Sequence, residues 1–316
     1  YALIASVFSP RTWWSKSARL DYLILIINNA LTLGLAGRLI TKLTVGTLLF
    51  EAMHIWFDGR PMTGQELPGW LVASCFTATL FLLDDFSKYV VHRTLHAVPL
   101  LWSFHKVHHT AETLTPFTVY RTHPVEGVIF ALRASVTQGL AIAVFIFFFG
   151  DKADLLTVLG ASVFLFAFNA TGSNLRHSHV WISYGLTLER FLISPAQHQI
   201  HHSTASQHRD RNFGAVLAIW DRIFGSLELA GKPQTLTFGV QQETAATHDL
   251  KSAYLTPFHD ALCCMRRLVP MSIKKMLNVS IPNSLSWIKL PIGVLVFSAI
   301  LAQPNMAAAG ELNIYS

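Results

Sequence analysis

Long apolar runs separated by short polar breaks organise this chain. Residues 20–40 stay apolar for about the 20 positions that a bilayer-spanning helix needs. Asn28 and Asn29 sit in the middle of that run, where lipid penalises them and neighbouring helices would satisfy them. Residues 45–57 are apolar but short, as in a tilted span or a re-entrant segment. They contain Glu51 and His54, a single ExxH, where ferritin-like di-iron proteins need two copies and two more Glu; the pair reads as a polar couple inside the membrane. A Gly/Pro-rich polar turn over 58–68 precedes a further span at 69–83, which ends in Asp84-Asp85. Two more apolar runs, 127–149 and 153–171, are separated only by Gly150-Asp151-Lys152. So short a link predicts a helical hairpin with both ends on one side of the membrane. A last apolar run, 288–302, is short for a span and either crosses the bilayer or lies in it. At the other end, Arg11, Lys16 and Arg19 beside Trp13-Trp14 suit an interfacial segment.

Composition agrees with the pattern. Hydrophobic residues make up 52% and charged residues 13%, about half the charged share of a typical soluble domain. The pattern predicts an all-α integral membrane protein: a bundle of about four to six transmembrane or re-entrant helices capped by a cytosolic helical domain. Three regions follow: 1–83, an interfacial segment and membrane helices; 84–228, the region that carries the chemistry; and 229–316, a cytosolic loop and a C-terminal hydrophobic helix. The net charge of +6 contains no dense Lys/Arg run. It therefore points to headgroups and the cytoplasmic face rather than to nucleic acid. Cys75, Cys263 and Cys264 make neither a disulfide framework nor a CxxC site.

The chemistry lies in histidines. Ten of the fifteen occupy four short boxes: His92 and His96; His105, His108 and His109; His177 and His179; His198, His201 and His202. Residues three and four apart share a helix face, so each HxxxH or HxxHH box can aim its imidazoles at one point. His177 and His179, two apart, cannot share a helix face; either the backbone there is not helical or one of them is not a ligand. Scattered surface histidines do not repeat in this way. One metal ion takes four to six ligands, so about ten converging imidazoles suffice for two ions with open positions. The hairpin 127–171 would bring the second and third boxes to one face of the bilayer. Asp85, two helical turns before His92, either orients that ligand or is an ordinary charge closing a membrane helix. His123 and Glu126 are an extra ligand with its partner or a capping pair. His208, His248 and His259 lack box spacing and read as surface residues, and Trp220-Asp221-Arg222 as an ion pair beside an aromatic anchor.

The set HxxxH, HxxHH, Asn174-Leu-Arg-His177-Ser-His179 and HxxHH resembles the fatty acid hydroxylase/sterol desaturase superfamily of membrane di-iron oxygenases. Arg121-Thr-His123-Pro-Val-Glu126, Ser194-Pro195, Asn212-Phe-Gly214 and Trp220-Asp-Arg-Ile-Phe-Gly225 extend the resemblance, which covers about residues 70–228. It implies the ten boxed histidines as ligands, with Asn174, His123, Glu126 and Asp85 as further ligands or as partners that orient one. It also implies two Fe ions, with zinc as the metal that overexpression would misload. Two ferrous ions, O2 and two supplied electrons would oxidise an unactivated C–H bond to an alcohol or an alkene.

The substrate of such a site is lipophilic: a fatty acyl chain, a sterol or other isoprenoid, or a related lipid. No ferredoxin-like cysteine set or dinucleotide fingerprint is present, so electrons would come from a separate reductase with a ferredoxin or cytochrome b5. The positive-inside rule puts the box-bearing face in the cytoplasm of a multi-pass protein. Two other readings compete. A zinc-dependent di-metal membrane hydrolase or lyase would need neither O2 nor reductant. A non-enzymatic membrane metal-binding protein would place its ligands near the bilayer midplane, whereas these boxes flank the spans.

Overall fold

Prolines set the corners of this fold. The computed structural model describes residues 9–35, 41–59, 66–153, 174–240 and 248–268. Most of the second hairpin leg (154–171) and the apolar run 288–302 lie outside the described residues. Among the described residues there is no strand, only two isolated antiparallel bridges, Leu192 with Leu217 and Ser203 with Phe238. A compact unit covers residues 1–264, and a second, 265–316, falls almost wholly outside the described set.

In chain order the main helices are α1 (Lys16–Leu35), α2 (Lys42–Trp56), α3 (Gly69–Ala97), α4 (Pro99–His109), α5 (Pro124–Phe149), α6 (Pro195–His201), α7 (Ile219–Ile223) and α8 (Leu250–Leu268). Helix α3 runs for 29 residues because nothing inside it breaks a helix. It passes through Asp84-Asp85 without interruption, so one rigid rod carries both the apolar run and the first histidine box. It stops at Val98, which is extended (φ −98°, ψ 112°), as the residue before a proline tends to be. Pro99 then opens α4 at a position that needs no N–H. This one-residue corner folds the second box back onto the first. Pro124 and Pro195 open α5 and α6 in the same way. Ser194 caps α6 in a reciprocal capping box with Gln197.

Two described helices, α3 and α5, are long and apolar enough to cross a membrane. Val72, Phe76 and Leu80 of α3 pack against Ala141 and Phe145 of α5. Helix α2 crosses α5 at a glycine contact. A Cβ on Gly139 would lie 2.8 Å from the Val45 Cβ and 2.9 Å from the Gly46 nitrogen. Close approach of small residues is the main means of joining helices where no hydrophobic effect acts between them. The charges on these helices are matched: Arg133 of α5 pairs with Asp84 of α3 at 2.9 Å, and Lys88 reaches the same carboxylate at 2.7 Å. Asn28 of α1 meets two partners, donating to the Thr122 carbonyl and accepting from the Tyr254 hydroxyl, both at 2.8 Å. Glu51 and His54 do not form the expected couple. The His54 Nδ1 lies 3.1 Å from the Phe50 carbonyl of its own helix, and Glu51 is exposed.

Arg121 locks the helices beneath the boxes. Fully buried, it donates to the Val107 carbonyl at 3.0 Å and to the Asp21 carboxylate at 3.0 Å, joining α4 to α1. The part of 229–316 expected to be a cytosolic loop contains α8, whose Leu250, Ala253 and Tyr254 pack on Leu20, Ile24 and Val107.

Candidate metal centre

Four pieces of backbone converge on one buried region. The end of α3 brings His92 and His96, and α4 brings His105, His108 and His109. A one-turn helix, Asn174–Arg176, delivers His177, and α6 ends in His198, His201 and His202. Nine of these histidines fall into two groups. His92, His96, His105, His109 and His201 form one; His108, His177, His198 and His202 form the other. Within each group one nitrogen per ring lies within 4.8 Å of those of all the others. An HxxHH box therefore does not aim at one point. The i, i+4 pair of each box serves one group and the remaining histidine serves the other: His105 and His109 against His108, and His198 and His202 against His201.

Three outer ring nitrogens of the five-ring group are held. His92 Nδ1 lies 2.8 Å from the Phe213 carbonyl, His201 Nδ1 2.7 Å from the Arg211 carbonyl and His105 Nδ1 3.0 Å from the Glu126 carboxylate. An acceptor at Nδ1 fixes the N–H there and leaves the Nε2 lone pair facing inward. His96 Nδ1 stands 3.6 Å from Asp210. The inward atoms crowd together: His96 and His105 Nε2 are 3.1 Å apart, His108 and His177 Nε2 3.0 Å, and His177 and His198 Nε2 2.9 Å. Nε2 of His109 and His201 and both nitrogens of His202 are buried with no hydrogen-bond partner. Buried polar atoms without partners are costly. Lone pairs converging from several neutral rings suit a cation, so the residues present fit metal ions.

Burial does most to keep these rings neutral. It pushes His105, His109, His177, His198, His201 and His202 well below the usual histidine range, and neighbouring imidazoles push them further. His108 is pushed down to about 3, again chiefly by burial. A ring that stays unprotonated keeps its lone pair for a metal. Arg176, half-buried beside His177, is brought down to about 10 by desolvation and donates to the Ala215 carbonyl.

One loop supplies the carbonyls. Asp210 and Asn212 take left-handed backbone conformations (φ 58° and 56°) on either side of Arg211, which turns the Arg211 and Phe213 carbonyls toward the first group. Asp221 pins this turn by accepting from the Phe213 and Gly214 N–H groups at 2.8 and 2.7 Å and from the Ser226 hydroxyl at 2.7 Å. It does not form the ion pair with Arg222 that the sequence suggested. Gly214 has no room for a side chain, since a Cβ would lie 2.8 Å from the Asp221 Oδ2. Asn212 donates to the Gln197 carbonyl at 3.0 Å and accepts from the Glu228 N–H at 2.8 Å, tying the loop to α6. Asp85 accepts from Val216 N–H, Leu217 N–H and the Trp220 indole at 2.9–3.0 Å. It acts on the same segment rather than on His92 directly.

The other sequence candidates take different places. His179 lies outside both groups, its ring edge-on to Trp13 at 6.0 Å. His123 caps α5, accepting from the Val125 N–H, with its Nε2 3.1 Å from the Tyr254 carbonyl. Asn174 opens the turn before His177, and its side chain is outside the described set. His208 and His248, expected at the surface, are not: His208 is buried, and His248 sits between Arg121 and Glu112. The sequence reading passed over Trp102, which packs on His96, His105 and His109. It also passed over the carbonyls of residues 211 and 213, which carry no side-chain signature.

Residues 77–226, spanning every box and the pinned loop, match the family model for fatty acid hydroxylase. Residues 77–226 belong to the fatty acid hydroxylase/sterol desaturase superfamily. Relatives of this fatty acid hydroxylase domain act on several lipid classes by name. The alkylglycerol monooxygenase of Danio rerio is 30% identical over 200 residues, covering 62% of this chain and 39% of that protein. An ornithine lipid hydroxylase of Rhizobium tropici is 23% identical, covering 61% and 50%, and a Delta(7)-sterol 5(6)-desaturase of Aspergillus fumigatus is 27% identical, covering 62% and 55%. The chain spans half or less of the length of the first of these relatives. No solved structure matches significantly.

Proposed function

We propose that this chain is a multi-pass membrane di-iron oxygenase that hydroxylates or desaturates a C–H bond of a lipid, with its histidine face in the cytoplasm. The observation that carries the reading is the pair of buried histidine groups, five and four rings, built from shared boxes. Two ions so placed suit two-metal chemistry. In three pairs the inward Nε2 atoms lie 2.9–3.1 Å apart, close enough to share a cation. Superfamily membership supports a lipid oxidoreductase, and the relatives named above include both hydroxylating and desaturating enzymes.

When bound, two irons would supply O2 reduction and C–H oxidation. The chain's own residues hold and shield that centre. Glu126 and the carbonyls of Arg211 and Phe213 fix the proton at Nδ1 of His105, His201 and His92, which aims each Nε2 inward and makes it a better donor. The Phe213 ring packs on His92, His96 and His201, and Trp102 on His96, His105 and His109, so aromatic rings narrow the access of water to the first group. The electrons come from a separate reductase with a ferredoxin or cytochrome b5. Metal analysis and Mössbauer spectra of protein grown on labelled iron test the reading. About two coupled irons per chain, with O2 uptake that needs both lipid and reductant, are expected. Stoichiometric metal with turnover in the absence of O2 would overturn it.

A further inference from the structure

Two surface segments, residues 186–191, which begin in a short helical turn, and the end of α7 with Phe224, carry large apolar side chains outward beside arginines. Leu186, Leu188 and Phe191 are 55%, 54% and 47% exposed, and Ile223 and Phe224 are 62% and 48% exposed. Arg190 and Arg222, within the same segments, are exposed too. The acid next to each arginine is turned inward. Glu189 is fully buried and accepts from the Ser183 and Ser194 hydroxyls and the Ala230 N–H. Asp221 is fully buried on the loop at residues 213–214. The outward face of these two segments is therefore hydrocarbon and positive charge.

The segments form one surface. The Ala218 N–H donates to the Phe191 carbonyl at 2.9 Å, and Leu192 bridges Leu217. The joint hangs on α3: Asp85 accepts from Val216, Leu217 and Trp220, and the Phe86 ring meets those of Trp220 at 4.9 Å and Phe224 at 6.3 Å. Since α3 is long and apolar enough to cross a bilayer, both segments sit at a fixed height on that helix, just past its most apolar stretch.

Exposed apolar clusters mark interaction surfaces. Leucine and phenylalanine beside arginine is the composition of segments that lie among headgroups, where anionic lipid attracts each arginine. We propose that residues 186–191 and 222–224 rest in the headgroup layer of the bilayer that α3 crosses, with Arg190 and Arg222 on lipid phosphates. The surface is continuous with the apolar flank of α3, and the inward-turned acids leave its charge complementary to anionic headgroups. Phe224 also meets Tyr89 and Arg93 of α3, so this collar reaches up that helix to the start of the histidine boxes. The inference rests on the membrane reading, not on the oxygenase reading.

Spin labelling tests it without metal or turnover, so it fails or survives separately from the proposed reaction. In the C75S/C263S/C264S background, nitroxides at Leu188→Cys and Ile223→Cys are compared with one at the exposed Gln207→Cys. The whole chain is reconstituted in phosphatidylcholine vesicles with and without phosphatidylglycerol. The two collar labels should be severalfold more accessible to O2 than to a water-soluble nickel chelate, and the Gln207 label the reverse. Adding phosphatidylglycerol should deepen the collar labels, and the R190Q/R222Q variant should abolish that dependence. Collar labels open to the nickel chelate would overturn the proposal, as would labels shielded from both reagents, the sign of a protein partner or second copy. A lipid dependence unchanged in R190Q/R222Q would overturn the assignment of the arginines to phosphate.

Discussion

His108 and His109 are neighbours in the chain, yet their rings stand 5.6 Å apart at 89° and belong to different histidine groups. His201 and His202 repeat the relationship at 5.4 Å and 89°. Successive residues of a helix point about 100° apart, so a double histidine at the end of a box is a divider. It sits between two ion positions and gives one ring to each.

This division predicts the stoichiometry of single and double variants. His109→Ala should weaken the five-ring group and leave the four-ring group loaded, and His108→Ala should do the reverse. Each variant should then bind about one metal ion, against the two proposed for the parent. His108→Ala with His202→Ala, both from one group, should still retain the other ion, whereas His108→Ala with His109→Ala should retain neither. Iron per chain by mass spectrometry decides it. Loss of both ions from every single variant would mean that the groups do not load separately.

The loop at 210–214 serves the five-ring group through backbone atoms, so its anchor should matter as much as a ligand. Asp221→Ala leaves the buried N–H groups of Phe213 and Gly214 without their acceptor, at about 1–3 kcal/mol each. It also frees the carbonyl that orients His92. The expected result is metal affinity about 10–100-fold weaker in one of two binding classes, measured by chelator competition. Asp221→Asn, which keeps the shape and one acceptor, should lie between. Equal weakening of both classes would show that the loop acts on general stability alone.

Much of this arrangement was legible in the sequence because histidine spacing on a helix is a strong signal. The boxes and the polar satisfaction required of Asn28 followed from helix geometry and the cost of polar groups in lipid. The partition of each HxxHH box between two groups did not follow. It depends on where α3, α4 and α6 cross, which local spacing does not encode. The roles of Asp85 and Asp221 were hidden for a different reason. Both act on main-chain N–H groups, and a main-chain contact leaves no pattern in residue types. His208 and His248 were misread because exposure was inferred from a missing box rather than from tertiary packing.

His177 and His179 should differ sharply. His177 Nε2 lies 3.0 Å from His108 Nε2 and 2.9 Å from His198 Nε2, at the centre of the four-ring group. His179 points elsewhere, edge-on to Trp13. His177→Ala should lose one ion and the oxygenase activity proposed here. His179→Ala should keep full metal content. Equal metal loss in both variants would bring His179 into the ligand set.

His123 offers a prediction about pH rather than metal. Its Nδ1 accepts from the Val125 N–H at the start of α5, and its Nε2 faces the Tyr254 carbonyl at 3.1 Å. The ring is therefore neutral, with its proton on Nε2. Burial pushes it down to about 4, partly offset by the Tyr254 contact. In the unfolded chain the ring takes up a proton near pH 6.5, and in the folded protein only near pH 4. The cap's contribution is therefore complete above about 6.5 and is lost as the pH falls toward 4, by at most about 3 kcal/mol. Other buried histidines titrate in the same direction, so the measurement is a difference. Denaturation in detergent should show wild-type stability falling more steeply between pH 7 and 4.5 than that of His123→Asn, which caps without titrating. Parallel pH profiles would mean that His123 does not hold α5 as a neutral cap.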